Sequence, residues 1–219
     1  MIRDMGRDIV RQENAKNPDK RSRLWHHKDS LIVLRANKGS ETIEGLSLQM
    51  HMYTADNEDI YSLKSLETFI FSGCSNLYEF PMEMRNMASL KVLETDEIPI
   101  NRLLATTEDQ VKSWPMLKHI DNFWASFPNS LLELSLTNCN LSDDAFPMEL
   151  SNLSSLKRLY FTGNPICRLP DCIRGLEELD YLGFSGCTSL KGLEGLPRVS
   201  RELLTVSCIS LERINFQSI

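Results

Sequence analysis

Hydrophobic positions along this chain change period twice. Ile2, Met5, Ile9 and Val10 fall at helical spacing, with Arg3, Asp4, Arg7, Asp8 and Arg11 on the opposite face. This pattern predicts an amphipathic helix of about three turns that needs a packing partner. A second short helix is expected from about Asp29 to Lys38. Asp29 can cap its start, Leu31 and Leu34 give an apolar edge, and Gly39 can end it in a left-handed conformation. After Gly39 the period shortens: Ile43, then Leu46, Leu48 and Met50 alternate with Ser47 and Gln49, as in a half-buried strand.

From Leu63 onward, repetition governs the pattern. One copy reads Leu131, Leu134, Leu136, Cys139, Leu141; the next reads Leu156, Leu159, Phe161, Asn164, Ile166. A third runs Leu179, Leu182, Phe184, Cys187, Leu190, and an earlier one Leu66, Phe69, Phe71, Cys74, Leu77. They match L-x-x-L-x-L-x-x-(N/C)-x-L, the copies ending at Leu190 and Leu77 being one residue longer at the end, and Cys139, Asn164, Cys187 and Cys208 are spaced 25, 23 and 21 residues apart. Alternating x-L-x-L-x forms a short strand with its leucines inward and its x positions outward. A single copy cannot bury that face, so neighbours must stack and share one core. At the Asn/Cys position the chain turns off the strand, and a small polar group there satisfies backbone groups left by the bend. Gly73, Gly163 and Gly186 suit the tight departure. The fold class expected is α/β: a leucine-rich-repeat solenoid, preceded by a small helical segment.

Two copies depart from the template. The one starting at Leu90 offers Leu93, Thr95 and Ile98, which are weak third and fourth anchors. The last keeps Cys208 and Leu211, and either Leu203 or Leu204 can point inward. The organisation expected is a helical remnant and linker over 1–42, repeats over 43–219, and an irregular insert at about 101–130. That insert is a degenerate repeat or a surface excursion. Its Trp114, Phe123, Trp124 and Phe127 form either a local hydrophobic plug or a partner-binding patch.

Composition narrows the function classes. In 219 residues, 30 acidic side chains outweigh 24 basic ones, for a net charge of -6. Nucleic-acid and anionic-membrane binders show the opposite balance. No apolar run reaches the ~18–20 residues of a membrane span, and the charged N-terminus has no secretory h-region. Residues 1–30 are basic, and the densest stretch, Lys16–Arg23, reads either as a nuclear-localisation or polyanion patch or as a solvated linker. Six cysteines without a signal sequence favour reduced thiols. No phosphate-binding loop, dinucleotide fingerprint, nucleophile elbow or H-E-x-x-H occurs. Cys74, Cys139, Cys187 and Cys208 share one repeat position, and Cys167 and Cys172 have no second half for a zinc site. His26, His27, His51 and His119 lack partners at ligand or triad spacing. No catalytic residue, metal site or cofactor is expected.

The stretch IRDMGRDIVRQE, then KNPDKRSRLWHHKD, then VLRANKGSETIEGLSL resembles the junction between nucleotide switch and repeats in plant TIR-type nucleotide-binding leucine-rich-repeat disease resistance proteins. FSGCSNLYEFP, LTNCNLSDDAFPMELSNLSSLKRLYFTGNPICRLP and FSGCTSLKGLEGLP carry the same stamp, so the resemblance covers essentially the whole chain. It implies a fragment that begins just past the Met-His-Asp motif, with ADP or ATP expected only in a full-length parent. It also implies protein recognition in an intracellular immune receptor, cytoplasmic or nuclear: sensing of a pathogen effector or guarded host protein, and restraint of the switch.

The outward strand positions would supply that surface. They are Glu67, Thr68 and Ile70; Lys91 and Glu94; Glu133, Ser135 and Thr137; Lys157, Arg158 and Tyr160; and Asp180, Tyr181 and Gly183. Tyr160 and Tyr181 with Lys157 and Arg158 are the best anchors, because aromatic residues and Arg are enriched at interface hot spots. Two other roles compete. A truncated regulatory form would dock on the switch domain of a full-length receptor. A substrate receptor of a ubiquitin ligase would need an F-box-like helical trio, for which about 40 residues with two short helices are too few.

Overall fold

The computed structural model describes residues 12–36, 41–49, 58–73, 82–100, 115–197 and 201–216. The helix expected over 2–11 lies outside these residues, as do Gly39, Met50, Cys74, Leu77 and Trp114. Eight strands form one parallel sheet: β1 (Arg23–Leu24), β2 (Gly45–Gln49), β3 (Thr68–Ser72), β4 (Val92–Glu94), β5 (Glu133–Ser135), β6 (Arg158–Tyr160), β7 (Tyr181–Gly183) and β9 (Glu202–Leu204), in that spatial order. The sheet starts at Arg23, inside the segment whose pattern reads as helix and linker. One inward row runs through Leu24, Leu46, Phe69, Leu93, Leu134, Leu159, Leu182 and Leu203. The first seven are at most 1% exposed, and each contributes roughly 1.5–3 kcal/mol by burial. Leu203 continues that row while Leu204 faces outward beside Gly183, which settles the choice in the last copy. The weak copy is also a complete rung. Leu90, Leu93 and Ile98 are wholly buried, and Thr95 is tolerated there because its hydroxyl donates to the Ser135 carbonyl at 3.2 Å.

Stacking rests on a ladder of left-handed residues just past the strands. Gly73, Glu97, Asn138, Gly163, Gly186 and Ser207 all have φ between 54° and 73°. The N–H groups of the first five donate to the carbonyls of Asp96, Thr137, Thr162, Ser185 and Val206 on the following coils, at 2.7–3.1 Å. At the next position Asn164 donates Nδ2–H to the Leu136 carbonyl (2.7 Å), while its Oδ1 accepts from the Leu141 N–H (2.9 Å). The thiols of Cys139, Cys187 and Cys208 donate to the carbonyls of Thr95, Phe161 and Phe184, reproducing only the first of these bonds. Burial pushes the Cys139 thiol up to about 12 and that of Cys187 up to about 11.

The N-terminal region departs from its sequence reading. Helix α1 covers His27–Arg35 and ends at a right-handed Ala36. Asp29 lies inside the first turn and does not cap it. Its carboxylate meets the Arg21 guanidinium at 2.6 Å. Arg21 is 3% exposed, and it also donates to the carbonyls of Asn14 and Ala15. A buried cation without a carboxylate would cost far more than a missing cap, so the ion pair takes Asp29. Within Lys16–Arg23 only Arg21 is withdrawn from solvent; Lys16, Lys20 and Arg23 stay exposed, as a solvated linker requires.

Strand β4 pairs directly with β5, so the insert adds no rung. Its described part contains helix α2 (Pro115–Ala125), with Ile120, Phe123, Trp124 and the following Phe127 buried. Trp124 stacks on Phe146 at 5.5 Å, and Phe146 meets Phe161 edge-on, which joins the insert to the repeat core. Trp124 Nε1–H donates to the Ala145 carbonyl at 2.8 Å, and Asn152 donates to the carbonyls of Trp124 and Phe127. These rings form a plug. With Phe123, Trp124 and Phe127 at most 4% exposed, they offer nothing to a partner. Outside that sheet, β8 (Gly192–Leu196) and β10 (Arg213–Phe216) make a second short parallel ladder that the sequence pattern did not announce.

Candidate protein-binding surface

The outward side chains line up in rows because the strands share one register. The row preceding the inward leucines runs Thr68, Val92, Glu133, Arg158, Tyr181, Glu202. The row following them runs Ser47, Ile70, Glu94, Ser135, Tyr160, Gly183, Leu204. Glu67, Lys91, Lys157 and Asp180 stand one residue before their strands, along one flank of this face.

Neighbouring rungs neutralise much of the charge. Lys91 Nζ lies 2.5 Å from Glu67, Arg158 Nε lies 2.5 Å from Glu133, and Arg201 Nε lies 3.9 Å from Asp180. The Glu133 bond holds the Arg158 guanidinium above its usual value, and partial burial raises the Tyr160 phenol. Lys157 is exposed. Ser135 faces outward yet is only 8% exposed, because its hydroxyl bonds both the Asp96 carboxylate (2.9 Å) and the Thr137 hydroxyl (3.0 Å). Gly183 is covered by the Tyr160 ring: a Cβ at 183 would lie 2.7 Å from Tyr160 Cδ1. Arg158, Tyr160 and Tyr181 thus form one half-buried patch over β6 and β7, joined by Leu204. Val92, Glu202 and Leu204 belong to the same rows but were not singled out from the sequence. The missing signal for the last two was the register of the final copy; for Val92 it was the alternation about Leu93.

Among the described residues, no group of three or more His, Cys, Asp or Glu side chains could hold a metal ion, and no helix is long and apolar enough to cross a membrane. Cys167 is exposed and Cys172 is buried, its thiol pushed up to about 12 by desolvation.

A parallel sheet of short strands, a shared leucine spine and a turn ladder of Asn and Cys define an α/β leucine-rich-repeat solenoid. The chain is homologous over most of its length to plant TIR-type nucleotide-binding leucine-rich-repeat disease resistance proteins. It is 30% identical over 167 residues, 72% of the chain, to the Disease resistance-like protein DSC1 of Arabidopsis thaliana. Identity and coverage are the same with TMV resistance protein N of Nicotiana glutinosa, and Disease resistance protein RPP5 of Arabidopsis thaliana matches 97% of the chain at 25% identity. The chain spans 14–15% of the length of these curated relatives. No family model matches it. Among solved structures, internalin C2 of Listeria monocytogenes aligns at 18% identity and a TM-score of 0.45, covering 83% of this chain and 76% of its own. InlP of the same organism aligns at 14% identity and 0.48, covering 93% and 57%.

Proposed function

We propose that this chain is the protein-recognition module of an intracellular plant immune receptor, reading a pathogen effector or a guarded host protein on the outward face of its sheet. The supporting observation is the register: each rung buries the same leucine position and exposes side chains of unrelated chemistry beside it, from Thr68 and Ile70 to Arg158 and Tyr181. A scaffold of constant core and variable surface suits recognition tuned residue by residue. Similarity to plant resistance proteins supports a role for that recognition in defence signalling, and the proposed setting is the cytoplasm or nucleus. Restraint of a nucleotide-bound switch domain is the second part of the role, with ADP or ATP held by the parent protein. The alternative is a truncated regulatory form that docks on the switch domain of a full-length receptor through residues 1–50; its pull-down with that domain is the expected outcome, and no association eliminates it.

A photo-crosslinking amino acid placed at Lys157, on the strand face, is expected to give a challenge-dependent protein adduct in infected plant tissue. The same group at Met148, which is 87% exposed and away from the strands, is expected to give none. Equal labelling from both positions, or adducts from Met148 alone, would contradict the reading.

A further inference from the structure

Outside the eight-stranded sheet, the second ladder builds a cationic cavity. Arg168 bridges Gly192 in parallel. The Lys191 N–H donates to the Cys167 carbonyl at 2.9 Å, and the Leu169 N–H to the Gly192 carbonyl at 3.3 Å. Residues 167–169 thus run along one edge of β8, as β10 runs along the other. Gly192 is the register partner of both Arg168 and Arg213, so those two side chains leave on one side with none between them. Neither backbone nor packing demands a glycine at 192. Its φ lies outside the left-handed region, and an added Cβ would meet nothing closer than 3.9 Å. The open space is a cavity of about 380 Å³, bordered also by the turn Asp171–Gly175. Small-ligand sites occupy roughly 300–1,000 Å³.

Arg168, Arg174, Lys191 and Arg213 line this cavity together with Asp171 and Glu194. The cations outnumber the carboxylates even when Asp143, beside Arg168, is included. Their counter-charges are loosely held. Arg213 reaches Glu194 at 3.7 Å and Arg168 reaches Asp143 at 3.8 Å, both longer than the ~2.7–2.9 Å of a charge-assisted bond. Arg174 spends Nη2 on Asp171 (3.1 Å) and on the Glu194 carbonyl (3.2 Å). Its guanidinium packs over Gly195, where a Cβ would come within 2.9 Å of Nε. Lys191 is exposed and has no carboxylate partner among the described residues. We infer that this cavity binds a compact anion carrying two linked phosphate groups. Guanidinium forks match phosphate oxygens, and an ammonium adds a point charge. Arg168 and Arg213 stand two strand spacings apart, about 9.6 Å at the backbone, which suits two phosphates better than one. The concave shape admits a small molecule, while the net charge of -6 on the chain disfavours a long polyanion. No lining residue belongs to the outward rows of the large sheet, so the site is independent of strand-face recognition.

The test is titration calorimetry of the full chain with inorganic pyrophosphate, orthophosphate and sulfate at one ionic strength. Pyrophosphate is expected to bind one-to-one and about tenfold more tightly than the other two. Arg168→Gln combined with Arg213→Gln is expected to weaken it about tenfold. Lys64→Gln combined with Arg85→Gln removes the same charge from exposed positions elsewhere and is expected to leave binding unchanged. Gly192→Val suits a strand, fills the gap between the arginines and is expected to abolish binding. Glu194→Gln removes a competing carboxylate and is expected to tighten it. Circular-dichroism melts matching the parent confirm that the variants are folded; the glutamine pair, at exposed positions, carries the test if Gly192→Val is not. Pyrophosphate is also expected to slow alkylation of Cys167, the exposed thiol on the cavity wall, as read by peptide mass spectrometry. Equal binding of all three anions, no binding, or equal losses from the two charge pairs would mean an adventitious ion only and overturn the inference. Orthophosphate binding as tightly as pyrophosphate overturns the two-phosphate ligand. Unchanged binding by a folded Gly192→Val, or an unprotected Cys167, overturns the cavity as the site.

Discussion

The coil between β6 and β7 and the coil between β4 and β5 solve one problem with different material. The first takes 23 residues from Leu159 to Leu182, and every inward side chain follows the repeat template. The second takes 41 residues from Leu93 to Leu134, detours through α2, and still delivers β5 into the same register beside β4. The length of the return path is therefore free, provided the detour refills the core it leaves open. Template leucines do this in the short coil. In the long one, Phe123, Trp124 and Phe127 do it, tied to Phe146 and Phe161.

This comparison can be broken at its two anchors. Trp124→Ala removes a wholly buried ring and its bond to the Ala145 carbonyl, and is expected to cost about 3–5 kcal/mol; Leu159→Ala is expected to cost about 2–5 kcal/mol. Denaturant melts check both. A near-neutral Trp124→Ala would mean the detour packs beside the core without completing it.

The turn ladder offers subtler tests. Asn164→Cys imposes on the short coil the chemistry that its neighbours already use. The thiol keeps a donor for the Leu136 carbonyl but abandons the buried Leu141 N–H, for an expected loss of about 1–3 kcal/mol in the same melts. The native thiols add a pH dependence. Folding raises Cys139, Cys172 and Cys187 above their usual 9.0, so the native state keeps protons that the unfolded chain sheds. Their contribution is fully present below pH 9 and is lost as pH rises toward 11–12. Thermal midpoints should therefore fall progressively across that window, and Cys139→Ser should make the decline shallower. The smallest effect is a gain. Glu97 holds a left-handed conformation at φ 61°, so Glu97→Gly exchanges roughly 1–2 kcal/mol of strain for a smaller entropic cost and should stabilise by about 0.5–1 kcal/mol.

The leucine spine was legible because its period is local: Leu134, Leu159 and Leu182 repeat in sequence as they do in space. What stayed hidden depended on contacts the pattern does not carry. Asp29 reads as a cap until Arg21 is found buried nearby. Glu97 and Ser207 carry no glycine to announce their left-handed turns; ladder bonds to both neighbouring coils hold Glu97, and the bond from Gly186 to the Val206 carbonyl precedes Ser207. Ile120, Phe123, Trp124 and Phe127 are spaced three, four and seven apart, a helical signal that was present but was overshadowed by the count of aromatic residues. At the surface, the outward rows could be read, but ion pairing could not. Arg158 looks like a free anchor in sequence, yet it is fastened to Glu133 in the fold.

The ladder past the strands is made of N–H and C=O groups, and exposed side chains take little part in it. A gene encoding such a scaffold can replace an outward residue, or duplicate an entire coil, and the following coil still meets its donors in place. New specificities can thus be tried at almost no folding penalty, a useful property wherever the molecule to be recognised is itself under pressure to change.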